Sequence, residues 1–238
     1  MKAAIFLATH NKNEALGNVL HSITRQKTSF PFEVIICDDA SHDIAGLREV
    51  VFTHLGSSGI PFRFIILSSN VGSNRSQSFC LDLIGLEVDT IVLQSSDVFY
   101  AGDDVLEKLC RNTAPGRFTL AEVRNVSVDP QMWRSFEKNL PFYLENERLM
   151  ETLAHINADP RQQDRGSYTI HHVFYSGTRQ PRPLERWYFF LGAIRKDDLL
   201  ETCFPTCCAD VNVSNDLHRL GKECMYVDAI GIHQRHPV

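Results

Sequence analysis

The stretch "FEVIICDDASHDIAGLREVVFTHLG" (Phe32–Gly56) decides the fold. Val34, Ile35, Ile36 and Cys37 form a continuous apolar run, short enough for a strand and closed by two acids. A run of this kind predicts a strand buried on both faces. Asp43 then stands where a helix would be capped. Leu47, Val50, Val51 and Leu55 fall on one helical face, and Gly56 marks the C-terminal stop. A buried strand feeding a single amphipathic helix is half of a crossover connection, which implies parallel strands.

The same rhythm extends in both directions. Upstream, "AAIFLAT" (Ala3–Thr9) predicts a first strand, followed by a helix with Leu16, Val19, Leu20 and Ile23 at helical spacing. The short apolar run at the N-terminus meets polar residues at once, so it reads as this strand rather than as a signal peptide. Downstream, "FRFIILSS" predicts a third strand, "SNRSQSFCLDLIGLE" a helix, "TIVLQSS" a fourth strand and "DDVLEKLCRN" another helix. The expected fold class is therefore α/β, with a mainly parallel central sheet flanked by helices. Ligands of such sheets bind beyond the carboxyl ends of the strands. The residues there are Thr9, His10 and Asn11; Asp38 and Asp39; Ser68, Ser69 and Asn70; and Ser95, Ser96 and Asp97. All four ends are polar and two carry acids.

Bulk properties narrow the classes of function. At 238 residues the chain can form one large α/β domain. A net charge of −5 argues against a nucleic-acid partner, and no apolar run approaches the length of a membrane span. Seven cysteines, with no paired CxxC spacing, fit a reduced, cytoplasmic protein without a zinc site. Cys207 and Cys208 read as small apolar loop residues.

Beyond Arg117 the rhythm changes. Residues 130–187 mix aromatics, prolines and arginines, with one expected helix at "LENERLMETLAHI". Between 161 and 195 six arginines face two acids. This stretch reads either as a solvated surface or as a patch for phosphate or an anionic membrane surface. "GAIRKDDLLE" and "VNVSNDLHRLG" are expected to be helical, and "ECMYVDAIGIHQRHP" to form a closing strand pair.

Taken in order, these segments resemble the family 2 glycosyltransferases, whose fold is GT-A. "ATHNKNEALGNVLHSI" is similar to the family's opening strand and helix. "VIICDDASHD" resembles its second strand with paired acids, and "NVGSNRSQS" its Asn-x-Gly loop. "IVLQSSDV" stands where the family has an Asp-x-Asp metal motif, and "ADVNVSNDLHRLGKECMYVDAIGIHQRH" resembles its closing segment.

The resemblance implies a single GT-A-like domain. Residues 1–115 would be a Rossmann-like nucleotide-sugar-binding half and 116–238 an acceptor-binding and catalytic half. It implies an inverting transfer of a sugar from a nucleotide-sugar donor to an acceptor hydroxyl, in glycan or polysaccharide biosynthesis. Thr9, Asn11, Asp38, Asp39, Asn70, Gly72 and Ser96 would bind the donor. Asp97 and His233 would hold Mg²⁺ or Mn²⁺ on the diphosphate, His233 being preferred over His236 because it directly follows an apolar strand. Asp210 would be the general base. A carboxylate can accept from ribose hydroxyls or a pyrimidine N–H, a hard divalent cation suits oxygen ligands, and attack by a hydroxyl needs a base.

The acceptor would be a glycan or lipid-linked molecule, with peripheral contact at the inner face of the membrane left open. Strand-end or helix caps remain the competing readings for Asp38, Asp39, Asp97 and Asp210. The pattern departs from the family at Ser95, Gln77, Ser78 and Ala209. Those departures keep a second reading in view, a catalytically inactive nucleotide-sugar-binding module. A GT-A-like nucleotidyltransferase is a third, although "THNKNEAL" lacks the Gly-rich phosphate loop it would need.

Overall fold

The computed structural model describes residues 1–127, 191–206 and 210–235. The expected opening alternation is present: β1 (Ala3–Thr9), α1 (Asn13–Thr24), β2 (Phe32–Asp38), α2 (Ile44–Leu55) and β3 (Phe62–Ile66). A short helix α3 (Ser73–Ser78) and a 3₁₀ turn (Phe79–Leu83) lead to β4 (Thr90–Ser95), β5 (Val98–Tyr100) and α4 (Val105–Asn112). Then come β6 (Arg117–Ser127), β7 (Leu191–Arg195), α5 (Lys196–Leu200), α6 (Asp210–Arg219) and β8 (Glu223–Arg235).

The strands form one eight-stranded sheet in the order β3-β2-β1-β4-β7-β6-β8-β5. β3, β2, β1 and β4 are mutually parallel. β7 runs antiparallel to both β4 and β6, β8 is parallel to β6, and β5 is antiparallel to β8.

Burial on both faces explains the apolar runs. In β1, Ile5 and Leu7 join one core with Leu16, Val19, Leu20 and Ile23 of α1, Leu47, Val51 and Leu55 of α2, and Leu106 and Leu109 of α4. Phe6 points the other way, into a second core with Ile35, Ile91, Leu93, Leu199 of α5 and Val213 and Leu217 of α6. Alternate residues of each central strand thus serve opposite layers. Each fully buried aliphatic side chain contributes about 1.5–3 kcal/mol, so the two layers fix the strand order and with it the line of the carboxyl edge.

Several expectations are corrected. The helix expected over "SNRSQSFCLDLIGLE" stops after six residues. Phe79, Cys80, Leu81 and Leu83 are too crowded for one helical stripe; the chain tightens into a 3₁₀ turn that buries Cys80 against β2. "GAIR" is the end of a strand, not a helix. The closing segment is one 13-residue strand rather than a strand pair. Gly231 in its middle marks a close approach and not a turn: a Cβ there would lie 2.8 Å from both Leu191 and Val98 side-chain atoms. Asp43 caps α2 as expected, accepting from Gly46 N at 2.9 Å. Gly56 ends that helix in a right-handed conformation (φ −60°). The helix expected at 144–156, most of the arginine-rich stretch, Cys207, Cys208 and His236 lie outside the described residues. Among the described residues no helix is long and apolar enough to cross a membrane.

Candidate active site at the carboxyl edge of the sheet

Register brings the strand ends abreast. Thr9 of β1 pairs with Asp38 of β2, and Ala8 pairs with Ser95 of β4. The loops that follow are laced together. Asp39 N donates to Thr9 O (2.8 Å), and Asn11 N donates to Ser41 Oγ (2.8 Å). His42 N donates to Asn11 Oδ1 (2.8 Å). His10 Nδ1 lies 2.7 Å from Asp39 O. A carbonyl only accepts, so Nδ1 carries the proton and Nε2 accepts from Asn11 Nδ2 at 2.9 Å. Asn11 (φ 53°) and Ala40 (φ 59°) are left-handed. Asn tolerates this region; Ala does so at a cost of about 1–3 kcal/mol, held in place by these cross-links.

The two acids after β2 have separate tasks. Asp38 is fully enclosed and accepts from both Ser41 N (3.0 Å) and Ser41 Oγ (2.5 Å), so its carboxylate shapes the loop. Asp39 reaches the third strand's loop, where Oδ1 accepts from Val71 N (2.7 Å) and Oδ2 from Gly72 N (2.8 Å). Asn70 Oδ1 also accepts from Gly72 N at 3.1 Å. Gly72 has φ +91°, a backbone state only glycine adopts without strain. Thr9 is buried, and its Oγ1 has no hydrogen-bond partner among the described residues. Ser96, next to Asp97 in sequence, is also buried.

Asp97 is the hub of the second cluster. Its Oδ1 accepts from Ser95 Oγ at 2.6 Å, and its Oδ2 lies 2.5 Å from Lys12 Nζ and 3.3 Å from His233 Nε2. His233 arrives because β8 pairs with β5, with His233 directly opposite Val98. Burial pushes the Asp97 carboxyl upward. The hydrogen bond and charge of His233, together with the Lys12 ammonium, outweigh burial and hold it well below the usual carboxylate range. Asp97 and His233, both expected at the diphosphate end, are therefore adjacent.

Asp210 is the first residue of α6, whose Val213 and Leu217 anchor it on the second core. Asp216, on the same helix, is committed elsewhere: it accepts from Cys203 N (2.8 Å) and pairs with Arg219 (3.3 Å).

Lys12 was not among the expected site residues. Its signal was a Lys at the N-terminal boundary of α1, where Ser, Thr, Asp or Asn is preferred. It makes no side-chain cap, and its side chain turns to Asp97 instead. Gln77, standing where an Arg was expected, donates to Phe6 O (3.1 Å) and so braces β1.

The side chains expected to hold a divalent ion contact each other as they lie, Asp97 Oδ2 being 3.3 Å from His233 Nε2. Among the described residues no group of three or more His, Cys, Asp or Glu side chains gathers to hold one. Asp97 is the cluster's single carboxylate. Lys12 Nζ already sits against its Oδ2 and Ser95 Oγ against its Oδ1.

A parallel half-sheet with a polar carboxyl edge, extended past the antiparallel β7 to β6 and β8, the last bringing His233 to that edge, is the GT-A glycosyltransferase fold. The chain belongs to the glycosyl transferase family 2, whose model matches residues 4–162. Solved structures agree at the level of fold. S. aureus TarS 1–349 in complex with UDP-GlcNAc has a TM-score of 0.63 at 13% identity, covering 100% of this chain and 60% of that one. Mannosyltransferase PcManGT from Pyrobaculum calidifontis, in complex with GDP-Man and Mn²⁺, has a TM-score of 0.59 at 15% identity, covering 98% and 56%. The chain thus spans about three fifths of the length of these neighbours. No curated protein matches it.

Proposed function

We propose that this glycosyltransferase moves a hexosyl group from a nucleotide-sugar donor to an acceptor hydroxyl with inversion at the anomeric carbon. The observation that carries the reading is the convergence at one sheet edge of a polar loop cluster (Thr9, Asn11, Asp39, Asn70, Gly72) and a charged cluster (Lys12, Ser95, Ser96, Asp97, His233). The neighbours solved with UDP-GlcNAc and GDP-Man support a donor of this class.

In this reading Asp39 holds the loop at Asn70–Gly72 against the nucleoside, and Asp38 holds Ser41 and thereby Asn11. The diphosphate lies toward Lys12 and Asp97. The acceptor oxygen attacks C1 from the face opposite the diphosphate. The new C–O bond forms as the C1–O bond to the diphosphate breaks, and the electron pair leaves with the nucleoside diphosphate. The acceptor's proton passes to Asp210, which the start of a helix favours in its ionised form. A divalent ion has no step here, because its expected ligands are already engaged. The acceptor, a glycan or lipid-linked molecule, is assigned to the 116–238 half, and the setting to glycan or polysaccharide synthesis in the cytoplasm.

The test is a panel of nucleotide sugars followed by thermal shift, with transfer and hydrolysis of a labelled sugar as the second readout. A binding ligand raises the melting temperature by mass action. Binding with turnover supports the reading. Binding with neither transfer nor hydrolysis favours an inactive nucleotide-sugar-binding module, which Ser95 and Ala209 would then explain. No binding at all overturns it.

A further inference from the structure

The Lys12–Asp97 contact carries an inference beyond the family reading. Asp97 is buried, 5% exposed, and a buried carboxylate must be paired. Its partner is a lysine that is 37% exposed at the side chain, so the ammonium stands between the carboxylate and the open cleft edge. The Lys12 side chain makes one polar contact among the described residues, to Asp97, and an ammonium has three donors. Two N–H groups are therefore left for an anion approaching the sheet edge. Lys12 also stands at the N-terminal boundary of the twelve-residue helix α1, the end that favours negative charge.

The local charge balance points the same way. A pair of acids with a divalent ion is neutral. Here Ser95 removes one negative charge, Asp97 keeps one, and Lys12 supplies a positive charge with His233 beside it, so the carboxylate is offset without a divalent ion. Ser95 does not leave a gap, because its hydroxyl donates to Asp97 Oδ1 and completes the carboxylate's shell. Asp97 is then not a bare metal ligand; its remaining role is to aim an ammonium.

We propose that the Lys12 ammonium, seated on Asp97, is the built-in cation of this site and holds the donor's diphosphate in place of a divalent metal ion. The inference rests on the nucleotide-sugar reading above. As the bond from C1 to the diphosphate breaks, the negative charge gathering on the leaving group lies beside this ammonium.

The experiment is a calorimetric titration of UDP and GDP, with uridine and guanosine as phosphate-free controls, into the wild-type chain in Mn²⁺ and in chelator. Lys12→Met and Lys12→Arg are titrated alongside, each with a melting curve. Wild-type affinity for the diphosphate that binds should agree within about twofold between Mn²⁺ and chelator. Lys12→Met should weaken that diphosphate by about tenfold to a hundredfold while leaving its nucleoside unchanged, and Lys12→Arg should keep most of the affinity. The Mn²⁺ paramagnetic resonance signal should be unchanged when wild-type protein is added without nucleotide. If Lys12→Met melts early, Lys12→Arg and the wild-type comparison in chelator still decide. Diphosphate binding that requires Mn²⁺ overturns the built-in cation and leaves the glycosyltransferase reading intact, as does wild-type affinity in folded Lys12→Met. No nucleotide binding in any condition overturns both.

Discussion

Asp97 shows what a single carboxylate does at this edge. Its folded-state acidity is raised by its partners, so the pair stabilises the protein above the unfolded carboxyl's pKa, near 3.9, and that contribution is lost as the pH falls through the folded value. Asp97→Asn should therefore melt below wild type at neutral pH. The gap should narrow as the pH drops below about 4; melting curves over a pH series check this, and a constant gap would show that no ionised pair was removed. Asp210 makes the complementary case. Asparagine keeps most capping ability but cannot take a proton. Asp210→Asn should lower turnover at saturating donor by about 10²–10⁴-fold with little change in melting point. A lower melting point with turnover within a few-fold of wild type would make Asp210 a cap only. At this scale the sequence was half legible. His233 was readable because it directly follows an apolar run, and Asp97 because it is the lone acid in the polar cluster after one. Lys12 was not, because a lysine ahead of a helix carries no pattern until the β1 and β4 ends are known to lie side by side. Asp38 and Asp39 looked alike in sequence, and only the loop geometry separates a turn-former from a clamp.

Elements show why the first half was easier to read than the second. β1, β2 and β4 are buried on both faces, so their apolar runs are continuous, and α1 and α2 present one apolar face each. β8 mixes partly and fully buried positions and carries a glycine, so it read as two strands. The capping of α2 gives a test in which propensity and structure disagree in sign. Asp43 accepts from Gly46 N and from Asn13 Nδ2 (3.2 Å), tying the start of α2 to that of α1. A Cβ on Gly46 would lie 2.2 Å from Asp43 Oδ2. Alanine normally stabilises a helix over glycine by about 0.8–1 kcal/mol. Here Gly46→Ala should yield no gain and a net loss, because it displaces the cap. Asp43→Ala should cost about 0.5–2 kcal/mol in denaturant titration, and the two losses should not add, since both remove one interaction. The loop clamp makes a second element-scale prediction. Asp39→Ala frees Val71 N and Gly72 N, so nucleoside diphosphate affinity should fall while the chain still folds; unchanged calorimetric affinity would detach the loop from donor binding.

Across the whole molecule the question is whether residues 1–115 and residues 116–238 are one cooperative unit. The sheet crosses between them at β4–β7, and the first core contains Ile5 and Leu16 from one half and Ala121, Leu191, Ala193 and Ile232 from the other. That continuity predicts a single opening event for the core, and the cysteines report on it. Cys110 lies in the first core and Cys37, Cys80 and Cys224 in the second. Burial pushes the Cys37 thiol up to about 12 and those of Cys110 and Cys224 further. At about pH 8 these thiols should stay unreactive toward a disulfide reagent while an ordinary thiol, pKa near 8.5, is partly ionised. Among the described cysteines, partly exposed Cys203 should react first. The four buried thiols should react only through opening, at a common rate set by the opening free energy. A nucleoside diphosphate at about 100 times its dissociation constant should slow a global opening about a hundredfold. Peptide-level mass mapping separates the alternatives. If Cys37, Cys80, Cys110 and Cys224 are slowed equally, the halves open together. If Cys37 and Cys80 are protected while Cys224 keeps its rate, the β6–β8 side opens independently of the donor site, and the two halves are separate folding units joined at β4–β7.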